Sequence, residues 1–291
     1  MGSRWQNHTR TDLAKFAGYL SKDSINVLCP AGIGDLYWIY SKLHVLKDRA
    51  IFWFPGAENR RAGQLADILG IRYGYLPGLT TDFVWSQPGD DPFGNRQTII
   101  VQANRHLESG KSLHDWYPEI HTHYPPVSSG FIPPAKKDSY VCVFTCSKNY
   151  MGGQLHSTVW ANMIKCIIHS TGSQVALIGA GSDVELLREI KGTYHSFHDH
   201  VIEVYDRPIT EVFGWIQHSR AFIGVASGLS IIATSSLGVP VITGYPRHLD
   251  KLPGTFEPET SAHDWVFLDQ LPDYIFNYKH NDLIQQGGID G

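Results

Sequence analysis

Two glycines and an aspartate stand where a strand-like run gives way to a helical pattern near the start of the chain. Gly32, Gly34 and Asp35 follow the apolar segment Ile25–Cys29. Glycines let another molecule approach the backbone closely, and a helix start offers unpaired N–H groups and a partial positive charge. Asp35 therefore has two candidate roles, as a cap of the helix or as a general base. The third glycine of the dinucleotide-binding motif is absent, so a nicotinamide enzyme is weakly supported.

A second turn of small residues follows a later apolar run, Ala221–Val225. Its backbone N–H groups and hydroxyls would suit a phosphate. The residues that could present them are Ser227, Gly228, Leu229 and Ser230. The alternative is a tight turn that only connects two packed elements. The position at the carboxyl end of a strand favours ligand binding, because open α/β sheets bind their ligands there.

A third glycine turn follows the apolar segment Gln174–Gly179 and leads into another helical pattern, with Ser182 or Asp183 as its cap. One such turn is weak evidence for a ligand site, because similar turns also occur for purely structural reasons. Three of them in one chain predict a cleft that is lined by glycine turns.

The histidine tracts and the cysteines give little support for a metal site. His121 and His123 stand close together, as do His195, His198 and His200. Such tracts can bind metal, but no cysteine pair and no HExxH motif accompanies them, so surface or hydrogen-bonded histidines are the better interpretation. The four cysteines form no CxxC pair and are predicted to be buried thiols. A serine hydrolase is also poorly supported, because the GxSxG elbow is missing. We predict that no metal is bound.

Short strand-like runs alternate with helical patterns, and these elements must position the three turns. Most of the runs are continuously apolar, which predicts strands buried on both faces of a parallel sheet. The predicted strands are Ile25–Cys29, Ala50–Phe54, Arg72–Leu76, Asp82–Trp85, Thr98–Gln102, Tyr140–Thr145, Gln174–Gly179, Val201–Tyr205, Ala221–Val225, Val239–Thr243 and Trp265–Leu268. Apolar residues at spacings of three and four predict helices over residues 36–46, 159–168 and 184–190. The alternation predicts a doubly wound α/β fold.

The chain length of 291 residues suggests two domains, and a proline-rich segment lies near the middle. Prolines with Ser and Gly make Tyr124–Lys137 a predicted linker. We therefore predict an N-terminal domain over residues 1–130 and a C-terminal domain over residues 131–291. A last helix is predicted within Pro272–Ile284, and we expect it to pack back on the N-terminal domain.

Composition and charge exclude several classes of protein. Hydrophobic residues make up 42% of the chain and aromatic residues 12%, which excludes a disordered protein. The net charge of −4 excludes a generally basic surface, but it does not exclude a local basic groove. The N-terminus has no apolar signal region, and glycines and a proline interrupt the uncharged stretch Ala221–Pro246. We therefore expect a cytoplasmic protein with no membrane span.

Several of these motifs resemble those of one enzyme family. Gly32–Asp35 ahead of an amphipathic helix resembles the opening motif of the family 9 glycosyltransferases, the lipopolysaccharide heptosyltransferase group. The block Gln174–Ile190 resembles that family's strand, glycine turn and acidic helix. The segment Pro208–Pro240 resembles its helix, strand, Ser-Gly turn, second helix and Gly-x-Pro run. The order and spacing of the motifs are more specific than any one of them, and the resemblance covers most of the chain loosely.

The resemblance implies a GT-B architecture, in which two Rossmann-like α/β domains face each other across a cleft. It implies inverting, metal-independent transfer from a nucleotide-diphosphate sugar to the hydroxyl of a glycan or another acceptor, with no cofactor. Asp35 would be the general base on the acceptor-binding N-terminal domain. Basic side chains and helix N-termini of the C-terminal domain would stabilise the leaving diphosphate. The residues expected to bind the nucleotide sugar are Gly34, Ser147, Lys148, His156, Gly179, Ser227, Gly228, Leu229 and Ser230.

Two departures from the family pattern concern the donor site. The heptosyltransferases carry an acid where this chain has Ala226, and a Lys-Arg-Trp-Pro run where it has Gly153–His156. Because of the first departure, the resemblance does not identify the donor sugar. The second departure shifts the expected phosphate contacts to Lys148 or His156. The main alternative is a non-catalytic or degenerate nucleotide-sugar-binding protein. Transfer to hydroxylated bases of nucleic acid gains no support from the net charge, and a nucleotide-sugar epimerase would need a bound nicotinamide.

Overall fold

A computed structural model of the protein describes residues 25–29, 32–55, 60–76, 98–100, 122–145, 155–193, 195–249 and 263–277. These residues divide into two compact units, and the boundary lies between Val127 and Ser128. Each unit is built on its own parallel β-sheet and buries its own set of apolar side chains.

The described strands of the first unit form one parallel sheet. The elements are β1 (Ile25–Leu28), α1 (Ile33–Leu43), β2 (Ala50–Pro55), α2 (Arg60–Leu69), β3 (Arg72–Leu76) and β4 (Thr98–Ile100). The strand order is β3-β2-β1-β4, so β1 lies inside the sheet. Leu36, Ile39 and Leu43 form the apolar stripe of α1 and are fully buried, as their spacing predicts.

The described strands of the second unit also form one parallel sheet. The elements are β5 (Tyr140–Phe144), α3 (Ser157–Thr171), β6 (Gln174–Gly179), α4 (Val184–Thr193), β7 (Val201–Tyr205), α5 (Ile209–Gln217), β8 (Phe222–Val225), α6 (Gly228–Ser235), β9 (Val241–Tyr245), β10 (His263–Phe267) and α7 (Leu271–Asn277). The strand order is β10-β9-β8-β5-β6-β7. A core cluster joins one face of the sheet to α3, with Val143, Ile223 and Trp160 among its members.

In each sheet, successive strands are added first on one side of the first strand and then on its other side. Strands β2 and β3 are added on one side of β1, and β4 is added on the other side. In the second sheet, β6 and β7 are added on one side of β5, and β8 on the other. Such topological switch points are where open α/β sheets bind ligands, at the carboxyl ends of the strands. The turns that contain Asp35 and Ser227 follow β1 and β8, so both lie at a switch point.

The predicted fold class, two Rossmann-like α/β domains, is confirmed. The predicted bounds of β3, β6 and β7 match the structure, and those of the other described strands agree within about two residues at either end. Strand β9 begins at Val241 and not at the predicted Val239, because the Val239 N–H donates to the Ala233 carbonyl of α6 at 3.0 Å and Pro240 has no N–H. The predicted strand Asp82–Trp85 lies outside the described residues.

The proline-rich segment contains no helix or strand, as predicted, but parts of it contact the folded units. On the first unit, Tyr37 Oη donates a hydrogen bond to the Pro125 carbonyl at 3.2 Å. On the second unit, the backbone at Phe131 lies so close to Gly214 of α5 that a Cβ atom there would stand 2.5 Å from the Phe131 carbonyl oxygen. The first half of the segment therefore packs on the first unit and the second half on the second unit.

Gly214→Ala should lower the free energy of unfolding by about 1–3 kcal/mol, because the new methyl group forces the Phe131 backbone away from α5. The matched control is Gly192→Ala in α4, where a Cβ atom meets nothing within 4 Å. That variant should gain about 0.5–1 kcal/mol from the higher helix propensity of Ala. Urea unfolding of both variants checks the pair, and a stabilised Gly214→Ala would contradict the packing.

The described part of the last predicted helix belongs to the second unit. Leu271 and Ile275 of α7 are buried in the core cluster that includes α3. The remainder of the predicted segment Pro272–Ile284 lies outside the described residues, and so does any packing of that remainder on the first unit.

Candidate functional site

Asp35 lies in the first turn of α1, at the switch point of the first sheet. Gly32 is the N-cap residue of this helix, and its N–H donates a hydrogen bond to the Asp35 carboxylate. A Cβ atom at Gly32 would collide with Asp35 Oδ2, so only glycine lets the carboxylate fold back over the turn. Asp35 thus contributes to capping, in the way that an acid at the third helical position reaches back to the N-cap N–H. Gly34 is the second residue of the same helix and is half-buried.

The electrostatics of Asp35 suit a proton acceptor as well as a cap. The carboxyl group is half-buried, and burial raises its pKa from 3.8 to about 6, while the Gly32 N–H opposes the rise. A carboxylate with this pKa is largely ionised at pH 7 and takes up a proton more readily than an ordinary one. The Cys29 thiol at the end of β1 is fully buried, and burial together with the Asp35 charge raises its pKa, so it stays protonated. Capping and general-base catalysis are therefore compatible roles for Asp35.

Two serines build the turn that follows β8. The Ser227 N–H donates to Ser230 Oγ at 3.1 Å, and the Ser230 hydroxyl donates to the Ser227 carbonyl at 2.7 Å. Ser230 is fully buried and uses its hydroxyl in these two bonds, so this hydroxyl fixes the shape of the turn. The Ser227 hydroxyl oxygen is enclosed and has no hydrogen-bond partner. The first N–H groups of α6, those of Gly228 and Leu229 among them, have no intrahelical acceptor and can bind an anion.

Ser230→Ala should lower the free energy of unfolding by about 1–2 kcal/mol, because it leaves the Ser227 N–H without its acceptor and removes one of the two donors to the Ser227 carbonyl, which keeps the Ile231 N–H at 3.4 Å. Ser227→Ala should change the stability by less than about 0.5 kcal/mol, since the Ser227 hydroxyl makes no hydrogen bond. The midpoints of urea unfolding measure both effects. A larger loss for Ser227→Ala would mean that the Ser227 hydroxyl, and not that of Ser230, holds the turn.

The third glycine turn has a packing explanation for its first residue. A Cβ atom at Gly179 would collide with the Leu187 side chain of α4, so glycine lets this helix pack closely on the end of β6. The Ala180 N–H donates to Asp183 Oδ2 at 2.8 Å, so Asp183 closes the short turn Gly181–Asp183, while its predicted role as the cap of α4 stays a prediction. These contacts account for the turn without a ligand, and a role of Gly179 in donor binding stays a prediction.

Three donor-site candidates come from the segment before α3. His156 is the N-cap residue of α3, and its Nδ1 accepts a hydrogen bond from the Thr158 N–H at 3.3 Å. This bond fixes Nδ1 as an acceptor and leaves Nε2 of the exposed ring to carry the proton. Ser147 and Lys148 lie outside the described residues. The phosphate contacts proposed for all three stay predictions.

Thr145 is a polar residue at the same sheet edge that the sequence analysis did not single out. It follows β5 directly, its side chain is only 1% exposed, and its Oγ1 has no hydrogen-bond partner. In the sequence it ends the apolar run Tyr140–Thr145 and so counts as part of the strand. A hydroxyl at the carboxyl end of a buried parallel strand is the signal that would have identified it.

The residues that the structure describes offer neither a metal site nor a helix that could cross a membrane. Within these ranges no group of three or more His, Cys, Asp or Glu side chains could hold a metal ion. Cys29 and Cys142 are free, buried thiols, as predicted. Cys166 is free but half-buried, so the prediction is wrong for this residue, and Cys146 lies outside the described residues. No helix in the same ranges is both long enough and apolar enough to cross a membrane.

Two parallel sheets, each with a helix start at its switch point, define a two-domain Rossmann-like α/β protein. No protein-family model matches the chain, and no curated protein matches it significantly. Solved structures do share the fold. The ADP-heptose LPS heptosyltransferase II of E. coli is 14% identical, with 91% of this chain and 99% of that chain covered at a TM-score of 0.60.

Two further solved structures have the same fold. The E. coli heptosyltransferase WaaC with ADP is 11% identical, with 87% of this chain and 98% of that chain covered at a TM-score of 0.52. A putative UDP-N-acetylglucosamine 2-epimerase from Listeria monocytogenes is 11% identical, with 91% of both chains covered at a TM-score of 0.52. At these low identities the similarity shows the fold alone. The heptosyltransferase-like fold that the sequence motifs predict is therefore confirmed.

Proposed function

We propose that the protein is a glycosyltransferase, which moves a sugar from a nucleotide-diphosphate sugar to the hydroxyl group of an acceptor. The observation that carries the proposal is Asp35, a half-buried carboxyl group at a switch point whose pKa is raised to about 6. The fold supports it, because two solved structures with this fold are heptosyltransferases, one of them with ADP. The sequence motifs that resemble family 9 glycosyltransferases include Asp35 itself.

In the proposed reaction, Asp35 takes the proton of the acceptor hydroxyl as the new bond from that oxygen to the anomeric carbon forms. The bond from the anomeric carbon to the diphosphate oxygen breaks, and the nucleoside diphosphate leaves with the electron pair. Attack from the opposite side inverts the anomeric configuration. Asp35 is suited to its role because burial keeps its pKa close to neutral, where a general base is most effective.

The second unit supplies the proposed donor site at the start of α6. The N–H groups of Gly228 and Leu229 and the positive end of the helix dipole would face the diphosphate. These groups stabilise the negative charge that develops on the leaving group, which is the task that a metal ion performs in other enzymes. We propose that the transfer is metal-independent for this reason.

A thermal-shift screen with ADP, UDP, GDP, CMP and TDP sugars tests donor binding, because a ligand that binds only the folded state raises the unfolding temperature. We expect one nucleotide class to give a clear shift. Product formation with that donor and a panel of glycan acceptors, in buffer containing EDTA, then tests transfer and its independence of metal. A donor that binds but gives neither transfer nor hydrolysis would favour the non-catalytic alternative.

A nucleotide-sugar epimerase is the second candidate, and the fold shared with the putative epimerase from Listeria monocytogenes favours it. The two activities differ in what happens without an acceptor. Without an acceptor, an epimerase changes the configuration of the sugar in the nucleotide sugar. A transferase leaves the nucleotide sugar unchanged or hydrolyses it slowly. Proton NMR of each nucleotide sugar incubated with the protein distinguishes the two outcomes.

A further inference from the structure

Two ring nitrogens on β10, the last strand at one end of the second sheet, are enclosed by the protein. They are Nδ1 of His263 and Nε1 of Trp265, and neither has a hydrogen-bond partner in the part of the chain that the structure describes. The two rings stack on each other, with their centroids 4.3 Å apart and their planes 20° apart. Nε2 of His263 is hydrogen-bonded to Thr243 Oγ1 of β9 at 2.8 Å. Both unsatisfied nitrogens therefore belong to one stacked pair of rings that is fixed to the sheet.

Further aromatic rings extend this pair along one face of the sheet. His263, Trp265 and Phe267 alternate along β10 and therefore share a face. Tyr245 of β9 pairs with Phe267 in the register, and its ring lies 5.9 Å from that of Trp265 and 4.9 Å from that of Phe267. We call these four residues the aromatic ladder. Val266 points to the opposite face, where it packs against the core cluster. The three ladder residues of β10 are half-buried, so the ladder keeps part of its surface in solvent.

The unsatisfied nitrogens are unusual, because the large majority of buried polar groups in folded proteins are hydrogen-bonded. One such atom is not by itself a ligand site, since Nε1 of Trp160 in the core cluster lacks a partner as well. The ladder differs from Trp160 in two respects. Two unsatisfied nitrogens are neighbours there, and they adjoin aromatic rings that solvent partly reaches. Ligand sites combine in the same way an apolar surface with a few placed polar groups.

The chemistry of the two nitrogens selects a neutral hydroxyl group as their partner. Trp265 Nε1–H only donates, whereas His263 Nδ1 accepts or donates according to which ring nitrogen carries the proton. A hydroxyl group both accepts and donates, so a single one can satisfy both nitrogens. Burial lowers the pKa of His263 to about 3, so the ring is neutral at pH 7 and does not attract an anion. The Arg247 guanidinium lies over the Phe267 ring, and its charge is balanced by Asp269 at 2.8 Å.

We propose that the aromatic ladder binds a neutral carbohydrate, one hydroxyl of which is hydrogen-bonded to Trp265 Nε1 and His263 Nδ1. A sugar ring has hydroxyl groups around its rim and C–H groups on its faces, so it uses the ring nitrogens and the aromatic surface together. The ladder is separate from the proposed donor turn, because β10 lies two strands away from β8 in the sheet. Both nitrogens are closed to solvent, so the ladder opens locally when the sugar binds. This site goes beyond the proposed function and does not depend on it.

The indole N–H resonance of Trp265 provides a direct test in the full chain. The protein has 8 tryptophans, and the indole cross-peak that is missing from the ¹⁵N spectrum of Trp265→Phe identifies Trp265. Maltotriose, cellotriose, chitotriose and mannotriose are added separately to the wild-type protein. We expect at least one of them to shift this cross-peak, because the indole N–H gains an acceptor. The cross-peak of Trp160, identified in the same way, should stay in place.

The affinity of the variants measures what each nitrogen contributes. For the trisaccharide that shifts the cross-peak, Trp265→Phe should raise the Kd about 3- to 10-fold, the range for a neutral hydrogen bond. His263→Gln should cause a similar loss, because glutamine can keep the bond to Thr243 but has no atom in place of Nδ1. Trp160→Phe is the matched control, since it removes an enclosed indole N–H from the core cluster and should leave the Kd unchanged. Calorimetric titration measures the Kd, and circular dichroism confirms folding.

Three results would overturn this assignment. They are a Trp265 cross-peak that none of the four sugars shifts, a Kd that stays at the wild-type value in a folded Trp265→Phe or His263→Gln, and an equal loss of affinity in Trp160→Phe. If Trp265→Phe fails to fold, His263→Gln decides the question. None of these results affects the proposed function, which is tested by donor binding and product formation. Conversely, a protein that shows the shift but transfers no sugar would keep this site and lose the proposed function.

Discussion

Asp35→Asn should lower the turnover of sugar transfer by about 10²–10⁴-fold, which is the usual contribution of a general base. Asn keeps the size of the side chain and an oxygen that accepts the Gly32 N–H, so α1 should stay capped. The variant loses the ability to take the proton of the acceptor hydroxyl. Donor affinity should stay near wild type, because the diphosphate contacts proposed at the start of α6 belong to the second unit. Steady-state kinetics and calorimetric titration of the donor measure the two effects separately.

The pH dependence of activity gives a second test of the same substitution. Burial raises the pKa of Asp35 to about 6, so the wild-type kcat/KM should rise with pH through an apparent pKa near that value. In Asp35→Asn this rise should be absent. A purely structural role for Asp35 would leave the shape of the profile unchanged in the variant.

The difference in stability between Asp35→Asn and wild type should also depend on pH, with a definite sign. Because the pKa of Asp35 is raised from 3.8 to about 6, the folded protein holds this proton more tightly than the unfolded chain. The stability gained in this way is fully present below about pH 4 and is lost as the pH rises through about 6. Asn carries no such proton. As the pH rises through this window, the free energy of unfolding of the variant should therefore increase relative to that of wild type, by at most about 3 kcal/mol. Urea unfolding at pH 4 and pH 7 measures the difference.

If Asp35 is only a cap, Asp35→Asn should turn over normally at every pH, and Asp35→Ala should lose roughly 1 kcal/mol of stability. Normal turnover of the Asn variant would remove Asp35 from the mechanism. The proposed transferase activity would then lack its general base, and the epimerase and the non-catalytic alternatives would gain weight.

Much of the fold follows from the sequence, because strands buried in a parallel sheet have continuous apolar sequences. Gln174–Gly179 and Val201–Tyr205 are strands with the predicted bounds. The order of the strands within each sheet does not follow from the sequence in this way, because no local pattern indicates which strand β4 or β8 pairs with. The two switch points depend on these long-range pairings, so the sequence predicts the turns but not that both stand at a switch point.

The candidate site shows the same division between local and long-range information. The capping ability of Asp35 follows from its place in the first turn of α1, whereas its raised pKa depends on burial by the rest of the unit. The Ser230 hydroxyl is a phosphate-binding candidate in the sequence, but in the structure it is bonded within the turn. Gly179 suggests a ligand turn, yet the nearby Leu187 side chain explains why the residue has no Cβ. Residue type alone does not distinguish these uses, because each depends on the neighbour that the fold supplies.

Gly228→Asp should weaken the binding of the nucleotide-diphosphate donor by at least about 100-fold while leaving the fold intact. Gly228 is the first residue of α6, where an acidic side chain interacts favourably with the helix dipole, so the unliganded protein should not be destabilised. The same carboxylate would place bulk and negative charge where the diphosphate is proposed to bind. Two like charges about 4 Å apart repel by about 4 kcal/mol at an effective dielectric constant of 20, which corresponds to more than 100-fold in affinity.

Gly228→Asn is the matched control, because asparagine has the same size as aspartate but no charge. It should bind the donor more weakly than wild type through its bulk, and more tightly than Gly228→Asp. The ratio of the two Kd values isolates the effect of charge, and it should shrink when the salt concentration is raised, since salt screens a partly exposed repulsion. Circular dichroism and the unfolding temperature confirm that both variants fold. A folded Gly228→Asp that binds the donor as tightly as wild type would mean that this turn only connects β8 to α6, and that the diphosphate binds elsewhere.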